Sequence, residues 1–135
     1  MVERGECLLA LGRTEEASAL AHNALEHARQ FGERGHEARA LAFLGTLEAR
    51  RAGAEGSRAS ELYEQAMAMA EELGMRPLVA RCQLDAGCLW LAAGHGTRAR
   101  EYLERAAATF RELDMSCWLA QAESALRGQA FLSDV

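Results

Sequence analysis

His22 and Glu26 stand four residues apart, so on a helix they share one face and could offer a metal ion two ligands. A zinc site needs three or four converging donors, and nothing beside this pair supplies the rest. His27 points elsewhere, while His36 and His95 fall in turns. The four histidines are therefore read as solvated or helix-capping groups. The four cysteines, Cys7, Cys82, Cys88 and Cys117, contain no Cys-x-x-Cys pair. That removes zinc-ribbon and thioredoxin-like chemistry and predicts free thiols packed as small apolar side chains in a reducing compartment. Neither Gly-x-Ser-x-Gly nor His-Glu-x-x-His occurs, and no Gly-x-x-x-x-Gly-Lys-Ser/Thr phosphate loop can form, because the chain has no lysine. The glutamates fall at spacings expected of solvated helix faces. With no converging acid, base and nucleophile, the expectation is a protein that is not an enzyme and that carries no cofactor or metal.

The elements that would hold these residues are helices. Half of the 135 residues are hydrophobic but only 6% are aromatic, and Pro77 is the single proline. Alanine, leucine and glutamate dominate and β-branched residues are few, which predicts an all-α chain with closely packed helices. One domain of this length can bury most of the apolar surface that its unfolded form exposes. The net charge of −5 argues against non-specific nucleic-acid binding, which needs a concentrated basic face. Cys7 to Leu11 is too short an apolar run to cross a bilayer, and no basic region precedes it. A cytoplasmic protein without membrane or nucleic-acid partners is expected.

Repeats organise the chain. Gly5, Gly45 and Gly87 are spaced by 40 and 42 residues; Ala17, Ala59 and Ala99 by 42 and 40; Ala24, Ala66 and Ala106 likewise. Phe31-Gly32, Leu73-Gly74 and Leu113-Asp114 stand in matching places. Four sets kept in step over three copies mark a repeat architecture. Residues 1–11 read as the end of a first helix. A second, capped by Thr14, runs to about Gln30, with Gly32 and Gly35 breaking the chain after it. A third covers about His36 to Arg51, burying Ala38, Leu41, Leu44 and Leu47, and a loop follows at Gly53 to Gly56. The fourth begins at Ser57 or Ser60. The fifth carries Pro77 in its first turn, where the missing N–H costs little. Thr97 opens the sixth, and the last runs from Ser116 to about Phe131 unless Gly128 ends it earlier. Trp90 and Trp118 fit core packing between hairpins. The count is about seven helices in antiparallel hairpins, with units of approximately 1–31, 32–74 and 75–114 and a terminal helix at 115–132.

Gly87, Trp90, Ala99, Leu103 and Ala106, with Gly5, Leu8, Ala17 and Ala24, resemble the tetratricopeptide repeat. Leu44-Gly45, Ala59, Tyr63 and Ala66 follow the same pattern, although Glu48 replaces the usual large apolar residue. The period exceeds the usual repeat of about 34 residues. In this it resembles the tetratricopeptide regions of large bacterial signalling ATPases linked to transcription-regulator or nucleotide-cyclase domains, most closely over residues 60–126.

The resemblance implies a right-handed α-solenoid that binds through a concave groove lined by the first helix of each hairpin. Aligned to that pattern, the groove would hold Arg39, Ala42, Thr46 and Arg50, then Arg81, Leu84, Cys88 and Leu91, then Gln121 and Ser124. Arg39 and Arg81 are equivalent, so they could take a partner's carboxylate, unless Glu37, Glu48 and Asp85 neutralise them. The implied function is a scaffold for a protein or peptide partner, or for other domains of a longer chain. The alternatives are a small-molecule sensor region and a homodimer formed through the open N-terminal end.

Overall fold

The computed structural model describes residues 12–52 and 57–133. Six α-helices fill them: α1 Thr14–Gln30, α2 Arg34–Ala52, α3 Ser57–Glu72, α4 Arg76–Ala92, α5 Gly96–Glu112 and α6 Ser116–Ser133. Each packs against the next as an antiparallel neighbour, most extensively in the pairs α2/α3 and α4/α5. The expected helix over residues 1–11, with Gly5 and Cys7, and the loop at 53–56 lie outside the described residues.

One three-residue linker, used four times, sets the helix ends. It spans residues 31–33, 73–75, 93–95 and 113–115. Its middle residue is left-handed: Gly32 at φ 67°, Gly74 at 70°, Gly94 at 86° and Asp114 at 56°. The next N–H then donates five residues back, Met75 to Ala70 at 2.8 Å, His95 to Trp90 at 2.9 Å and Met115 to Phe110 at 2.9 Å. This is the Schellman closure, which satisfies carbonyls left without a partner at a helix end. The carbonyl of the third linker residue accepts the first i→i−4 hydrogen bond of the following helix, from the N–H of that helix's fourth residue, as Val79 to Met75 at 3.1 Å and Ala99 to His95 at 3.0 Å show. The turn therefore both stops one helix and starts another.

This corrects the expected caps. Arg13 and His95 hold the N-cap positions of α1 and α5 without a side-chain cap bond, and Thr14 and Thr97 lie inside the helices. Gly35 does not break the chain but sits in the first turn of α2, and α6 continues through Gly128. Pro77 lies in the first turn of α4, as its chemistry requires.

Small residues let the hairpins close. Ala17, Ala38, Ala59, Ala66, Ala99 and Ala106 are all 0% exposed. A Cβ on Gly45 would stand 2.9 Å from the Tyr63 ring, and one on Gly87 would stand 2.8 Å from Leu103 Cγ. Crossing helices at this distance requires hydrogen in place of a side chain. Two buried clusters follow the chain. The first joins α1 to α4 around Leu41, Phe43, Tyr63 and Met67. The second joins α4 to α6 around Leu84, Leu103 and Phe110. Helix α4 contributes to both, through Cys82, Ala86 and Leu89 on one side and Ala80 and Leu84 on the other.

Candidate functional site

Besides their chain neighbours, α2 touches α4 and α4 touches α6, so these three lie side by side. Arg39 and Arg50 are exposed on α2. They are three helical turns apart on one stripe, about 16 Å along the axis. Neither has an ion pair among the described residues. The acids expected to neutralise this stripe are engaged elsewhere: Glu37 lies 3.5 Å from Arg29, and Glu48 is bonded by Arg51. That bond holds the Glu48 carboxyl below its ordinary value.

Between the two arginines, Thr46 is half-buried and committed inward. Its hydroxyl donates to the Ala42 carbonyl at 3.3 Å, which leaves its oxygen to accept from the Tyr63 hydroxyl at 3.1 Å. Tyr63 is 2% exposed. Burial pushes its phenol well up, and the bond to Thr46 pulls only partly against that. Thr46 thus satisfies a buried hydroxyl and holds α3 to α2.

On α4, the Arg81 guanidinium lies 5.0 Å from the centroid of the Trp118 ring, a cation–π contact that spans α4 and α6. Trp118 stacks on Phe110 at 6.0 Å and packs against the second cluster. Trp90 is half-buried, with the Arg98 guanidinium 4.5 Å from its centroid and His95 at its edge. Leu84 is not a surface residue. It is 3% exposed and packed with Leu103 and Phe110. Because α4 has helices on both flanks, its buried arc is wide enough to draw Leu84 in. Cys88, Gln121 and Ser124 are exposed, and Ala42 and Leu91 are half-buried. Cys82 is 1% exposed, and burial raises its thiol to about 12, which makes it a packing group.

Asp85 is the group that register alone did not single out. It is half-buried, one turn beyond Arg81, and burial pushes its carboxyl to about 6 while Arg81 pulls the other way. Its neighbours include Tyr63 and Cys82, whose ionisation its charge opposes. The equivalent residues of the flanking units are Phe43 and Ala125, both packing residues. The sequence signal was this carboxylate in an apolar register position.

Among the described residues, no group of three or more histidine, cysteine, aspartate or glutamate side chains is placed to hold a metal ion. None of the described helices is long and apolar enough to cross a membrane. Among the described residues, Arg39 and Arg50 of α2 are exposed guanidinium donors without an ion pair, and α4 carries the half-buried Asp85 carboxyl. No family model and no curated protein matches the chain.

Proposed function

We propose that this chain is a binding module of the tetratricopeptide type, a right-handed α-solenoid whose groove holds a carboxylate-bearing segment. That segment belongs to a protein partner or to another part of a longer bacterial signalling or regulatory chain. The solenoid reading is supported by the four identical linkers, the repeated register and the side-by-side packing of α2, α4 and α6. The single observation that carries the binding reading is Arg39 and Arg50, exposed on one stripe without ion pairs among the described residues, in a chain of net charge −5. Such guanidinium groups offer forked donors suited to carboxylates.

The test is capture of partners from a lysate of the source organism, with the parent set beside an Arg39→Glu, Arg50→Glu variant. Both positions are exposed, so circular dichroism should show unchanged helicity. A protein held by the parent and released by the variant supports the assignment. Equal capture by both moves the binding surface away from α2.

A further inference from the structure

The outward faces of α1, α3 and α5 can be compared residue by residue, because these helices share one register. On α1 the stripe opposite the buried Ala17, Ala21 and Ala28 is Glu15, Ala19, His22 and Glu26, all exposed. Acids stand at its two ends and none between. The matching residues are Ser57, Glu61, Glu64 and Ala68 on α3, and Thr97, Glu101, Glu104 and Ala108 on α5. Those helices place their acids in the middle and uncharged residues at the ends. The repeat therefore does not impose the α1 pattern, and a local rule broken in one unit is where function is expected.

Neither Glu15 nor Glu26 has an ion pair among the described residues. They are three helical turns apart, about 16 Å along the axis. The same separation holds between Arg39 and Arg50 on α2, which are also exposed and without ion pairs among the described residues. That pair departs from the register too: its matches are Arg81 and Ala92 on α4, and Gln121 and Leu132 on α6. Between the acids stand Ala19 and His22, and His22 Nδ1 donates to the Ser18 carbonyl at 2.8 Å, which folds the ring back along α1. Between the arginines stand Ala42 and Thr46, both half-buried, with Thr46 turned inward to Tyr63. Neither stripe raises a long side chain in its middle, so two helices can lie close there while opposite charges meet at both ends.

We infer that the arginine stripe of α2 takes the outer stripe of α1 from a second copy of this chain. The assignment rests on the groove proposed above and supplies its carboxylate-bearing segment. The α1 stripe points away from the core, and hence from α2 of its own chain, which packs on the core side. Only another molecule can bring the two stripes together. Oppositely charged rows of equal spacing set the register of a contact as well as its attraction. Glu15 and Glu26 would each meet one guanidinium fork. The contact joins unlike surfaces, so a joined pair keeps one free groove and one free α1 stripe, and association continues head to tail. Exposed ion pairs contribute little each, so the association is weak and salt-sensitive.

Sedimentation equilibrium of the full chain, at concentrations up to about 1 mM, reads this out as a mass that rises with concentration. The association constant should fall about tenfold between about 50 mM and about 500 mM salt. A Glu15→Arg, Glu26→Arg variant and an Arg39→Glu, Arg50→Glu variant should each lose about tenfold, through like charges at both ends. All four positions are exposed, so circular dichroism should show unchanged helicity. The quadruple variant, with both pairs exchanged, should associate again as the parent does. A parent that stays monomeric at about 1 mM, double variants that associate like the parent, or a quadruple variant no better than the doubles would each overturn the assignment. The Glu15→Arg, Glu26→Arg variant keeps the arginines of the groove. If it and the parent capture the same lysate protein while the parent does not self-associate, this inference fails and the groove assignment stands.

Discussion

The contact of Gly87 with Leu103 makes a prediction whose sign depends on geometry. Replacing a helix-interior glycine with alanine ordinarily stabilises by about 1 kcal/mol. Here the new Cβ would stand 2.8 Å from Leu103 Cγ, 2.9 Å from Leu103 Cδ2 and 3.3 Å from the Ala99 carbonyl oxygen. Leu103 is 0% exposed, so it has no free space to retreat into. Overpacking of this kind costs about 1–3 kcal/mol, and Gly87→Ala is expected to destabilise by about 1 kcal/mol net. Leu103→Ala alone should cost about 2–5 kcal/mol through the cavity it leaves. In the double variant the methyl at position 87 enters the vacated space. The clash with Leu103 then disappears, and the helix-propensity gain is realised. The pair should therefore be more stable than additivity allows by about 2 kcal/mol, within the usual range for residues in contact. Urea unfolding followed by circular dichroism at 25 °C measures this, provided the four proteins share one m value. Additivity within about 0.5 kcal/mol, or a Gly87→Ala variant more stable than the parent, would refute the close-crossing argument.

Other outcomes follow from the linkers and from Asp85. Asp114 has φ 56° where the three equivalent linkers have glycine, so Asp114→Gly should raise stability by about 0.5–1 kcal/mol. Gly74→Ala should lower it by about 1 kcal/mol, since φ is 70° there; both read out as a shift in the urea midpoint. Burial raises the Asp85 carboxyl to about 6 in the folded protein from its ordinary value of 3.8. The native state therefore binds the proton more tightly than the unfolded chain. Stability contributed by the protonated form is full below about pH 4 and is lost as pH rises through about 6, with no further change from this group above that. Asp85→Ala, the residue found at position 125, should remove this slope and stabilise at pH 7 by roughly 1–3 kcal/mol. An unchanged slope in unfolding measurements from pH 4 to 7 would contradict the assignment.

Much of the fold was legible because its periodicity is helical and its glycines recur. The stripe Ala38, Leu41, Leu44 and Leu47 is buried as its spacing predicts, and Gly45 and Gly87 meet the facing helix where small residues were expected. Helix starts were misplaced by a residue or two at Thr14, Thr97 and His36. Side-chain capping was expected at Thr14, whereas Arg13 holds the N-cap position with no side-chain cap bond. Leu84 was misread because a helix flanked on both sides buries more of its circumference than a single stripe suggests. The burial of Asp85 was hidden for a different reason. An acid in a helix is ordinarily a solvated one, and only its packing, or its register against the neighbouring units, shows otherwise.

The linkers carry a mechanical consequence. Every substantial contact joins helices that are adjacent or two apart in order, so distant parts of the described chain are not fastened together. Under tension applied at its ends, such a chain would yield one hairpin at a time, in a staircase of modest events rather than a single rupture. Because the paired segments are close in sequence, each hairpin could close again rapidly when the load falls.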